Sequence, residues 1–179
     1  FQKLVNVGLI LAPDGQKMSK SRGNVVNPDP IVEQYGADAF RLYELFVGPF
    51  QKTVSWDVRG IEGPYRFLGK VWQLQKKVNN AADTDEVQKH INETIAKVRK
   101  DIPAFRFNTA IAYLMELVNV LHEQKSISLD TWCTLIKLLG PFVPHIASEL
   151  WERTGKSTAL FSETFPRENR DILKKEQIL

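Results

Sequence analysis

Cysteine is nearly absent from this chain. Cys133 stands alone, so no disulfide forms within the chain and the small disulfide-dense folds are excluded. Its apolar neighbours make it a small core residue, in keeping with a reducing, cytoplasmic setting. Long apolar runs are missing too: none approaches the roughly 20 residues that cross a bilayer. No membrane is expected as a partner, and nothing near the N-terminus has the layout of a signal peptide. Charge of one sign is also lacking. The 24 Lys and Arg against 21 Asp and Glu leave a net charge of +3, which permits a nucleic-acid partner without requiring one. Histidine occurs at three positions. None of His90, His122 and His145 has a second ligand at metal-binding spacing, so no metal site is expected. His90 and His122 read as solvated helix positions and His145 as a satisfied packing residue.

What remains is an ordinary globular composition, 43% hydrophobic and 25% charged over 179 residues. That is enough for one domain, or a small domain with part of another. The chain opens on Phe1 and runs almost at once into apolar residues, which suggests a piece cut from a longer protein.

The most unusual stretch is Gly15-Gln16-Lys17-Met18-Ser19-Lys20-Ser21-Arg22-Gly23-Asn24. Lys17, Lys20 and Arg22 bring positive charge suited to oxyanions. Ser19 and Ser21 can donate to phosphate oxygens or turn back on the backbone. The lysines lie between the glycines, so this is not a P-loop, which needs Gly, four residues, then Gly-Lys-Ser/Thr. The stretch is suited to closing over a polyphosphate; a solvated basic turn would have the same composition.

Ahead of it, Gly8-Leu9-Ile10-Leu11 and the turn chemistry of Pro13-Asp14-Gly15 predict a β-hairpin whose outgoing strand leads into the loop. Behind it, Asp29 as N-cap and Pro30 predict a short helix ending at Tyr35-Gly36. A second helix is expected over Ala37 to Val47. The spacing of Phe67, Val71, Leu74 and Val78 predicts a helix from Gly63 to Asn80. Four more follow: one capped at Asp83-Thr84-Asp85, one at Asn108, one at Ser128, and one from Pro144 to Arg153. Leu160-Phe161 reads as extended, and the last residues as a charged tail. Consecutive helices with short connections imply an antiparallel bundle, so the chain is mainly α. The boundary between its mixed first part and the helices falls near Gly48 to Gly60. Arg66, Lys70, Lys76, Lys77, Lys97, Arg99 and Lys100 crowd the first two bundle helices. They form either a solvated face or a surface for a phosphate backbone.

Lys17-Met18-Ser19-Lys20-Ser21 is identical to the KMSKS signature of the class I aminoacyl-tRNA synthetases. The setting resembles that family as well: Asp14-Gly15 before, Gly23-Asn24-Val25-Val26 and Pro28 after, then Tyr35-Gly36-Ala37-Asp38 and Arg41-Leu42. Arg41 to Phe46, Trp56, Arg66-Phe67-Leu68 and Val71-Trp72 resemble the leucyl branch. The isoleucyl and valyl branches are similar in the loop and less so after it. Those two, the methionyl branch, and a stand-alone basic helical RNA-binding module are the alternatives. Phe107-Asn108-Thr109-Ala110, Pro144-His145 and Glu149-Leu150-Trp151 resemble the family's helical anticodon-binding-type domain.

The resemblance implies the C-terminal end of a catalytic domain at 1–57, the helical domain at 58–166, and a tail at 167–179. It implies a reaction in which leucine is activated with ATP, accompanied by Mg2+, and passed to tRNA(Leu), carried out by a monomer. Lys17 and Lys20 are then the catalytic residues, and Lys17, Met18, Ser19, Lys20 and Ser21 the ATP contacts. Arg66, Lys70, Lys76 and Lys77 are the candidate tRNA contacts. The family's His-Ile-Gly-His-type motif and its amino-acid pocket have no counterpart here. The chain by itself is therefore expected to be inactive.

Overall fold

The short strand Ile10–Leu11 (β1) does not pair with the residues that follow its turn. In the structure, a computed structural model that describes residues 2 and 4–174, β1 runs parallel to Val54–Ser55 (β2), with Ile10 opposite Val54 and Leu11 opposite Ser55. The expected hairpin is therefore corrected. Its turn does form, the Gly15 N–H donating to the Ala12 carbonyl at 2.9 Å, but no strand follows. Gly8 helps direct the pairing. Its N–H donates to the Phe50 carbonyl at 3.0 Å, and a Cβ there would lie 2.0 Å from the Lys52 carbonyl oxygen. Only glycine permits that approach between backbones.

A parallel pair needs a crossover connection, supplied here by α1 (Pro28–Tyr35) and α2 (Ala37–Phe46). The cap of α1 is Asn27, not Asp29: the Asn27 side chain accepts the Asp29 N–H at 3.1 Å. Pro28 then takes the first helical position, where a missing N–H costs nothing.

Next comes α3 (Glu62–Leu74), which ends well short of the expected Asn80. A 3-10 turn at Gln75–Lys77 tightens its exit, and Val78 leaves the helical stripe for Val78–Asn79 (β3), parallel to Ile127–Ser128 (β4). The β-branched Val78 fits the pleated partner as well as it fits a helix. Then come α4 (Asp85–Asp101), α5 (Phe107–Glu123), α6 (Leu129–Leu139), α7 (Pro144–Glu152) and α8 (Arg170–Lys174). Two caps are as the sequence implies: the Thr84 hydroxyl accepts the Val87 N–H at 3.3 Å, and the Ser128 hydroxyl accepts that of Thr131 at 3.0 Å. Asn108, expected to cap α5, lies inside it, because the helix already starts at Phe107. Leu160–Ser162 is a 3-10 turn rather than extended. Part of the expected tail is α8, packed on α4; residues 175–179 lie outside the described residues.

The core centres on α5, where Ala110, Ile111, Leu114, Val118 and Leu121 are each no more than 1% exposed. It packs on α2, α3 and α4. The buried side chains of both halves thus join in one cluster, each large one contributing about 1.5–3 kcal/mol through burial. The buried Asp38 of α2 binds the start of α7. Its Oδ2 accepts the Ile146 N–H at 2.7 Å, and its Oδ1 faces the His145 N–H at 3.4 Å. Val143, the residue before that helix, cannot cap it. The His145 ring is not packed as expected. Its side chain is 72% exposed and held at one end, Nδ1 lying 2.8 Å from Asp38 Oδ1.

Candidate functional site

The loop from Gly15 to Asn24 is arranged by Asn24. The Asn24 Oδ1 accepts the Ser19 N–H at 2.9 Å, while its Nδ2 faces the Lys17 carbonyl at 3.4 Å and Asp14 Oδ2 at 3.5 Å. Asp14 Oδ1 in turn accepts the Gln16 N–H at 2.9 Å. Lys20–Arg22 form a 3-10 turn closed by Gly23, at φ 66°, whose N–H donates to the Lys20 carbonyl at 3.2 Å. A side chain at Gly23 would oppose that conformation. Met18 anchors the loop against the core. The Ser19 and Ser21 hydroxyls lie 2.7 Å apart, two rotatable groups side by side. Lys17 and Lys20 are exposed, and their ammonium groups have no hydrogen bond or ion pair among the described residues. The structure thus fixes the loop backbone and leaves both ammonium groups available. The organising role of Asn24 and Asp14 is not legible from the sequence, because they are ten positions apart across an irregular turn.

The basic residues divide into two groups. On α3, Arg66 Nε donates to the Glu62 carbonyl at 3.4 Å and Lys70 Nζ to Asn119 Oδ1 at 3.0 Å. Both partners are neutral, so each cation keeps its charge unneutralised. Lys76, in the 3-10 turn, is exposed. Lys77 points the other way, its Nζ donating to the His122 carbonyl and, at 2.8 Å, to that of Gln124. It satisfies carbonyls at the C-terminus of α5, where a cation is favourable. His122, read as solvated, binds the Lys70 carbonyl through Nε2 at 2.9 Å. On α4, Lys97 lies 3.8 Å from Glu93 and 4.7 Å from the Tyr113 ring centre. Arg99 lies 3.6 Å from Glu168 and donates to the Pro166 carbonyl at 3.0 Å. These two already have partners, whereas the α3 group faces solvent.

The model of the family described as the anticodon-binding domain of tRNA ligase matches residues 85–178, more than half of the chain. The chain belongs to that family. The model for class I tRNA synthetases (I, L, M and V) matches residues 1–57, which contain the loop. The leucine–tRNA ligase of Chlorobium limicola is 47% identical over 174 residues, 93% of this chain and 22% of the relative. That of Chlorobium chlorochromatii is 42% identical, covering 100% of this chain and 23% of the relative. That of Alkaliphilus oremlandii is 43% identical, covering 93% and 21%. The chain therefore spans less than a quarter of these relatives. Among solved structures, the Agrobacterium radiobacter K84 agnB2 LeuRS, in a ternary complex with tRNA and LeuAMS, superposes with a TM-score of 0.83 at 30% identity, over 94% of this chain and 25% of that one. Mycobacterium tuberculosis methionyl-tRNA synthetase, in complex with methionyl-adenylate, shares the fold at TM-score 0.56 and 19% identity, over 87% and 42%. The three relatives are all leucine–tRNA ligases, which favours the leucyl reading over the isoleucyl, valyl and methionyl ones.

Among the described residues, no helix is long and apolar enough to cross a membrane. Nor do any three His, Cys, Asp or Glu among them cluster as metal ligands would.

Proposed function

We propose that this chain is the part of a leucine–tRNA ligase that carries the KMSKS loop and a tRNA-binding helical domain. The observation that carries the reading is the loop itself: a backbone pinned by Asn24 that presents the ammonium groups of Lys17 and Lys20, which have no partner among the described residues. The solved relative bound to tRNA and LeuAMS supports it. Residues 1–57 are the end of the catalytic region, 58–166 the helical domain, arranged as an antiparallel bundle, and 167–179 the tail. The whole protein takes leucine, ATP and tRNA(Leu) and acts as a cytoplasmic monomer. Mg2+ enters with the phosphates of ATP, its usual companions; the isolated 179 residues do not turn over.

Within the loop, Met18 holds the segment to the core while Lys17, Ser19, Lys20 and Ser21 face the nucleotide. Activation moves negative charge onto the leaving pyrophosphate. An ammonium that meets this charge as it develops lowers the barrier more than it strengthens ATP binding. Lys20, at the head of the 3-10 turn, has this role, with Lys17 beside it. Arg66, Lys70 and Lys76 provide the basic side toward the tRNA backbone, whereas Lys77, held by the carbonyls at the end of α5, does not. The test is ATP–pyrophosphate exchange by the full-length protein. Leucine should support it, and isoleucine, valine and methionine should not. Exchange driven by one of those three and not by leucine contradicts the proposal.

A further inference from the structure

A groove of about 470 Å³ opens between α1, α3 and α7, lined among others by Tyr35, Tyr65, Arg66, Gly69, Trp72 and Ile146. Its walls are aromatic. Tyr35 and Tyr65 meet edge to face with ring centres 5.5 Å apart, and Tyr65 is 50% exposed. At the far end the Arg153 guanidinium lies over the Trp72 ring, 4.7 Å from its centre. Arg153 is itself paired with Glu149 at 2.7 Å. Arg66, which also lines the groove, has only a neutral partner among the described residues.

Gly69 supplies an independent clue. It lies inside α3, where glycine costs about 1 kcal/mol relative to alanine. A Cβ added there would meet nothing within 4 Å. Packing therefore does not call for glycine, and its φ is not in the left-handed region. The effect of the missing side chain is to keep this stretch of the groove open. Flat aromatic walls, an open floor and an unneutralised cation at the rim match one kind of occupant. An unstacked nucleobase offers a π face to the rings, and its own phosphate reaches Arg66.

We propose that this groove takes an unpaired base of the bound RNA. The inference rests on the tRNA reading above and adds a second mode of contact to it, stacking beside phosphate neutralisation. Tyr65 and Trp72 stack on the base, Gly69 leaves room for it, and Arg66 holds the adjoining phosphate.

The test measures binding of a tRNA(Leu) transcript to the full-length protein across a salt series. Tyr65→Ala and Gly69→Leu should each weaken binding about tenfold, as loss of one stacked base does, with the slope against salt unchanged. Tyr65→Phe should bind as the unsubstituted protein does, and Gly69→Ala should melt no lower than it, which shows that α3 tolerates a side chain there. Arg66→Ala should instead flatten the slope by about 0.7–0.9. Unsubstituted protein that binds the transcript, with Tyr65→Ala and Gly69→Leu binding equally well, overturns the groove proposal alone and leaves a protein side chain as the occupant. Weaker binding of Tyr65→Ala with a flattened slope also overturns it, since the contact is then to phosphate. Failure of the unsubstituted protein to bind the transcript overturns the tRNA reading and the groove with it.

Discussion

Asp38 and His145, 107 positions apart in sequence, meet with His145 Nδ1 2.8 Å from Asp38 Oδ1. The same carboxylate takes the Ile146 N–H at 2.7 Å. A side chain of α2, beside the loop-bearing part of the chain, thus caps a helix of the second half. α7 has no cap of its own. The contact therefore helps to set how the two parts sit together.

Asp38→Ala should destabilise the 179-residue chain by about 1–2 kcal/mol, the usual size of a lost N-cap. Asp38→Asn retains an acceptor and should cost less. His145→Ala, at an exposed ring, should cost least. Urea unfolding of the three variants checks the order. Equal midpoints for Asp38→Ala and the unsubstituted chain would show that the cap contributes nothing.

Much of this fold is legible in the sequence. The apolar stripes of α4 and α5, the caps at Thr84 and Ser128, and the loop as a distinct basic unit all follow from local pattern. What is not legible depends on distant partners. Gly8 reads as part of a hairpin until Phe50 and Lys52 are placed beside it. Val78 continues a helical stripe until Ile127 offers a parallel partner. Lys77 cannot be told from Lys76 by charge, because the carbonyls that bind it lie at the end of another helix. Asn24 gives no local signal, since its role is to join two sides of an irregular loop.

Lys76 and Lys77 should therefore separate in experiment. Lys76→Ala should flatten the salt dependence of tRNA binding by about 0.7–0.9 in log–log slope and leave the melting temperature unchanged. Lys77→Ala should lower the melting temperature, because carbonyls at the end of α5 lose their cation. A melting temperature unaffected by Lys77→Ala contradicts that capping role.

Lys137 ties the segment after α7 to α6. Its Nζ donates to Glu163 Oε2 at 2.8 Å and lies 5.2 Å from the Trp151 ring centre, while Thr158 donates to Glu163 Oε1 at 2.5 Å. The hydrogen bond from Lys137, then that from Thr158, holds the Glu163 carboxyl below its ordinary pKa. A lowered pKa means stability that is present above the unfolded value and lost as pH falls through the folded one. Glu163→Gln should therefore melt below the unsubstituted chain at about pH 7, and the difference should fade as pH drops below about 4. A difference that persists undiminished at about pH 3 contradicts this linkage.

Asn24 should matter to catalysis without touching substrate. Asn24→Ala releases the Ser19 N–H and the Lys17 carbonyl, so the lysines lose their fixed base. Adenylate formation by the full-length protein should slow by about 10- to 100-fold, with the fold of the rest unchanged by circular dichroism. An unaltered rate would show that the loop orders itself without Asn24.

The central claim is that Lys20 acts on the pyrophosphate as it leaves. Lys20→Ala in the full-length protein, with leucine activation and transfer to tRNA measured separately, tests it most directly. The account predicts that activation slows by about 10²-fold or more, that ATP affinity changes less, and that Lys20→Arg does not fully restore the rate, since a planar fork does not replace a compact ammonium. Transfer from preformed adenylate should be nearly unaffected, because the pyrophosphate has already gone. Intact activation with impaired transfer would contradict the account and assign the loop to ordering the tRNA end.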